Sequence, residues 1–99
     1  MIDGKWQLTT HSPRGDIVAT LDVKTDGGAA TGTLSNEEGS VDITHGKLDG
    51  NELTYRFEAN IAPLGKTKAK VALTYDGEKL KGKTKLLVGS FDVDGVRVE

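Results

Sequence analysis

Five side chains in this 99-residue chain carry groups that could move a proton or hold an anion inside a fold: Trp6, His45, Tyr55, Tyr75 and Arg97. An imidazole titrates near neutrality and a phenol can exchange a proton beside it. His45 with Tyr55 or Tyr75 would therefore suit general acid/base chemistry, and Arg97 would suit an anion. The same residues also suit a structural plug. Arg97 stacked on the Trp6 ring would make a cation–π contact worth about 0.5–2 kcal/mol, while His45 and Tyr75 hydrogen-bond each other or backbone. A plug of Trp6, His45, Tyr75 and Arg97 is the favoured reading, with a bulge at Asp94-Gly95 able to change the facing of Arg97.

Other chemistry finds little support. With no cysteine, the chain has no disulfides, thiolate nucleophiles or thiolate metal ligands. Two histidines on separate strands do not make a zinc site. Asp92-Val93-Asp94-Gly95 matches part of a calcium loop but lacks the later glutamate. His11, Arg14 and Asp16 read as surface charge beside a turn, and Arg14-Gly15-Asp16 as a chance tripeptide. Neither Gly-x-Ser-x-Gly nor a phosphate-cradling glycine loop occurs. The sequence assigns no catalytic residue, metal or cofactor, and leans away from an enzyme.

What positions these side chains is a set of hairpins. Asp26-Gly27, Asp49-Gly50 and Asp76-Gly77 sit between alternating apolar runs, a strong hairpin signal. The following sequences DGGAATGT, DGNELTYR and DGEKLKGK read as one hairpin repeated. Alternation places eight strands at about 4–12, 16–25, 30–36, 40–46, 52–60, 66–75, 78–87 and 90–98. Short connectors make each antiparallel to the next. At this length a flat meander would expose two edges, whereas rolling it up removes both. The expected fold is all-β: one domain over 1–99, an eight-stranded antiparallel up-and-down meander closed into a small barrel. The three Asp-Gly turns and both termini fall at one end. The other end, with His11, Arg14, Asn36, Asn60, Ile61, Leu64, Leu87 and Phe91, is the expected mouth.

The Gly4-Lys5-Trp6 opening together with Arg97 on the last strand resembles the calycin pattern of lipocalins and their relatives. In that pattern a Gly-x-Trp tryptophan packs at the closed end of an eight-stranded barrel beneath an arginine from near the chain end. The chain departs from lipocalins in its shorter length and in lacking both cysteines and a helical segment. It also resembles short bacterial barrels that open with a Gly-x-Trp strand and continue in Asp-Gly hairpins. The resemblance implies a small apolar ligand in the interior.

The inward-facing ligand set is expected to be Leu8, Ala19, Leu21, Leu34, Ile43, Tyr55, Phe57, Val71, Leu73 and Phe91. Small residues at Ala19, Ala30, Gly32, Ala69 and Gly82 would let strands bend or leave room for a ligand, bending being favoured. The leading function is a non-enzymatic barrel binding a small hydrophobic or aromatic molecule. An isomerase, cyclase or lyase using His45, Tyr55 or Tyr75, and an oligomeric interaction module, are the alternatives. Apolar loops at 61–64 and 86–88 suit a lid over a ligand or a subunit contact, with the contact, in a homodimer, slightly favoured. Lysines at 66, 68, 70, 79, 81, 83 and 85 fall on one outer face. An Asp76-Gly77 loop would set Lys70 against Lys83 and Lys68 against Lys85, and with Glu52, Glu58, Asp92 and Asp94 alongside, a salt-bridged face is the favoured reading and a docking stripe for an acidic partner, nucleic-acid backbone or anionic membrane the alternative. The 13 basic and 15 acidic residues nearly balance, which argues against nucleic acid. Neither a basic, apolar leader nor a membrane-length run is seen, so the expected location is cytoplasmic.

Overall fold

A computed structural model describes residues 2–13, 15–37, 39–61, 65–86 and 89–98. Its strands are β1 (Gly4–Ser12), β2 (Gly15–Asp26), β3 (Ala29–Asn36), β4 (Gly39–Asp42), β5 (Thr44–Asp49), β6 (Glu52–Ile61), β7 (Gly65–Asp76), β8 (Lys79–Leu86) and β9 (Gly89–Arg97). β4 and β5 are two halves of one arm interrupted at Ile43, so the chain is an eight-arm antiparallel meander. Pairing of β1 with β9, from Trp6↔Arg97 to His11↔Asp92, closes it into a barrel. Among the described residues no helix is long and apolar enough to cross a membrane.

The three Asp-Gly hairpins meet at one end, but their two-residue loops begin one residue later than Asp-Gly. The last pairs are Asp26↔Ala29, Asp49↔Glu52 and Asp76↔Lys79. Gly27, Gly50 and Gly77 therefore hold the first loop position, with φ of 57°, 62° and 62°. Only glycine takes that conformation cheaply, and the mirror-image turns it allows match the twist of the flanking strands. The later loop corrects the expected lysine register. Lys70 faces Lys85, and Lys83 faces Ala72.

Inward positions build one continuous core, in which Trp6, Leu21, Val23, Leu53 and Leu80 are fully buried. Gly32 and Gly82 leave no room for a ligand. A Cβ at either would collide with a backbone carbonyl on the neighbouring strand, that of Asp22 or Ala72. They allow close approach and bending of the wall.

The alternation slips once. Ile43 is buried, Thr44 and His45 are both exposed, and Leu48 packs against the core. The β5–β6 register shifts between Thr44 and Lys47, and His45 takes a φ of 53°, the only positive value for a non-glycine among the described residues. This is a β-bulge, which sets two residues against one and turns the following side chains over. It corrects the expectation for His45, which faces outward. It also corrects the fourth strand, which extends to Asp49 rather than ending near 46.

Candidate functional site

The bulge decides where the wall opens. Beyond it toward the mouth, β4 hydrogen-bonds only to β3, through Thr33↔Asp42 to Asn36↔Gly39, while β6 pairs with β5 and β7. The β4 edge that faces β6 has no strand partner among the described residues. A cleft of about 730 Å³ lies there, within the size range of small-molecule sites. Val41, Phe57, Ala69 and Leu86 supply inward apolar surface, and Arg56, Lys68, Lys70, Lys85, Asp42, Glu58, Thr44 and His45 line it from outward positions.

Behind Phe57 lies Tyr55, 2% exposed, with ring centroids 6.4 Å apart and planes inclined by 36°. Burial pushes the Tyr55 hydroxyl well above the usual phenol range, so it stays protonated at any physiological pH. His45 stands outside, its Nδ1 3.3 Å from Thr44 Oγ1.

The other end is sealed by contacts that satisfy one another. Trp6 donates from Nε1 to the Ile2 carbonyl at 2.9 Å, with Ile2 itself folded inward and 2% exposed. The Arg97 guanidinium lies 4.3 Å above the Trp6 ring, donates from Nη1 to the Asp3 carbonyl at 2.9 Å and reaches Glu78 at 3.3 Å. Tyr75 meets Trp6 edge-on at 5.8 Å. The Thr25 hydroxyl donates to the Asp3 carboxylate at 2.6 Å, and this bond holds the Asp3 carboxyl below its usual range. Trp6, Tyr75 and Arg97 come together here; His45 does not join them.

Of the ten residues expected to meet a ligand, Phe57 lines the cleft. Leu8, Leu21, Tyr55, Val71, Leu73 and Ile43 are packed in the core, while Leu34, Ala19 and Phe91 are half-buried. Val41, Ala69 and Leu86 share the inward phase of the alternation but are not in the expected ligand set; the break beside them makes them a surface. Arg56, Lys70 and Lys85 became legible as a group only with the corrected hairpin register.

Outside the mouth, His11 on β1 bridges its two neighbouring strands, with Nδ1 3.1 Å from Asp16 and Nε2 2.8 Å from Asp94. Carboxylates only accept, so both contacts are made together when the ring is protonated and donates from both nitrogens. The bond to Asp94 and then that to Asp16 push the His11 pKa up. The carboxylates sit on opposite sides of the ring and do not converge on a metal position. Arg14, Ala62, Pro63, Leu64, Leu87 and Val88 lie outside the described residues, and with them most of the expected apolar loop contacts.

No protein-family model matches the chain, and no curated protein matches it. Redesigned β-barrels are among the solved structures that share its fold. A redesigned β-barrel, mFAP1, bound to DFHBI, superposes with a TM-score of 0.64 at 15% identity, covering 97% of this chain and 94% of that one. A second redesigned β-barrel gives a TM-score of 0.64 at 15% identity, with 99% and 91% covered.

Proposed function

We propose that the protein is a non-enzymatic binding barrel that takes a small hydrophobic or aromatic molecule at its mouth. The observation that carries this is the cleft of about 730 Å³ where β4 parts from β6, with Phe57, Val41 and Leu86 presenting apolar surface. A barrel of the same fold bound to DFHBI supports the reading. The ligand would sit against Phe57 and above the packed layer that contains Tyr55. Leu8, Leu21, Val71 and Leu73, buried against one another, would form its supporting core. Trp6 beneath Arg97 at the sealed end supports a calycin-like relationship. Half-exposed Val18 and Val96, on the strands either side of β1, support a dimer on that outer face.

The acid/base alternative requires His45, Tyr55 or Tyr75 gathered in one dry pocket. The structure distributes them over the outer surface, the core and the plug. Native mass spectrometry of protein purified from its own host tests the proposal. A retained small molecule, released on denaturation, is the expected result. An apo protein that also fails to take up any of a panel of small aromatic compounds would overturn it.

A further inference from the structure

Three cations stand directly opposite one another on three adjacent strands. Arg56 on β6 is the register partner of Lys70 on β7, and Lys70 is the partner of Lys85 on β8. The row ends at Thr44 on one side and Ser90 on the other, so it contains no carboxylate. Directly opposed like charges destabilise a sheet unless something anionic screens them. Elsewhere the wall provides that: Asp92 lies 3.8 Å from Lys83, Lys81 is opposite Asp94, and Lys79 is opposite Asp76. Arg56, Lys70 and Lys85 have no ion-pair partner among the described residues. Asp42 and Glu58 line the same cleft, but Glu58 is the register partner of Lys68 rather than of any member of the row. The wider sequence does not neutralise them either, since residues 56–85 hold eight of the 13 basic residues and three of the 15 acidic ones.

We infer that the cleft takes an amphipathic anion, its apolar body against Val41, Phe57 and Leu86 and its carboxylate, sulfonate or phosphate on the Arg56–Lys70–Lys85 row. This rests on the ligand-binding reading above and adds the charge of the ligand. The parting of β4 from β6 lets one molecule touch both inward apolar side chains and outward cations, because all of them line one opening. Strands lie about 4.8 Å apart, so the row spans about 10 Å, within reach of a single head group once the long side chains converge. A polyanion would need the whole length of β8. There the lysines nearer the closed end already face carboxylates, so the unneutralised charge is local to the cleft.

Paired fluorescence titrations with anilinonaphthalene sulfonate and neutral phenylnaphthylamine test the inference, because the two probes differ essentially by the sulfonate. Both are expected to bind, the sulfonate roughly tenfold more tightly, with the preference shrinking as salt is raised. In the triple variant Arg56→Gln, Lys70→Gln, Lys85→Gln the preference should collapse toward unity. Its melting temperature should hold or rise, since repulsion is relieved. Lys24→Gln, away from the cleft, should keep the preference. Equal affinities for the two probes, or a preference that survives the triple variant, would overturn the anion assignment and leave the binding barrel standing. Failure of both probes to bind would remove the barrel reading itself. Cosedimentation with phosphatidylglycerol vesicles, without a sulfonate preference, would assign the row to a membrane surface and overturn the inference.

Discussion

At the closed end a tryptophan is fully buried, its ring is capped by a guanidinium, and the Trp6 indole and Arg97 donate to backbone carbonyls of Ile2 and Asp3. At the mouth an aromatic of similar rank, Phe57, is only half-buried, the adjacent β4 edge has no strand partner among the described residues, and three cations face one another in a row that holds no carboxylate. The same arms build both ends, so the difference lies in the side chains placed there. Polar groups that answer one another within the chain make a lid. Groups left without an internal answer mark where something from outside is accommodated.

The contrast can be broken most forcefully at Trp6. Trp6→Ala should cost about 3–5 kcal/mol, a large share of the 5–15 kcal/mol typical of a domain, measured by urea denaturation. Should it fail to fold, Trp6→Phe provides the graded version, with a smaller loss of stability. Phe57→Ala should invert the pattern, costing about 1–1.5 kcal/mol because the side chain is half-buried, yet weakening an aromatic probe about tenfold in titration. A variant that loses several kcal/mol at Phe57 would mean that the mouth is core. Next comes the bulge that starts the opening. His45→Gly removes the strain of a β-carbon at a φ of 53° and should stabilise by about 0.5 kcal/mol once the extra freedom of the unfolded glycine is subtracted. Destabilisation there would mean that the imidazole makes a contact that matters.

The smallest effect belongs to His11, which is exposed. Its folded pKa is raised, so the charged form is favoured in the fold. The resulting stability is fully present below the unfolded value near 6.5 and is lost as pH rises through the folded value. The melting temperature of His11→Gln should thus fall below that of the parent at pH 5.5 and converge with it at alkaline pH. A gap that widens with pH would contradict the clamp on Asp94 and Asp16.

Most of the barrel is legible in the sequence because alternation, glycine turns and chain length act on the backbone alone. Gly4-Lys5-Trp6 with Arg97 could be placed at one end because a meander forces both termini there. What escaped was phase. The bulge had a signature, since the apolar positions move from Ile43 to Gly46 and Leu48, a step of three where two is expected, but a left-handed non-glycine residue is uncommon even for histidine, one of the types enriched there. Loop position was the second slip, since Asp-Gly invites a loop on both residues while the structure loops on the glycine and its successor. That offset moved every lysine on β8 by two residues and hid the row at Arg56.

Methyl-resolved NMR during titration with phenylnaphthylamine tests the central claim, that one end is sealed and the other open, most directly. Shifts are expected to concentrate on Val41, Leu86 and Leu34, with Leu21, Leu73 and Leu80 little moved. Perturbation centred on Leu80 and Val23 beside Trp6, or spread evenly through the core, would contradict it.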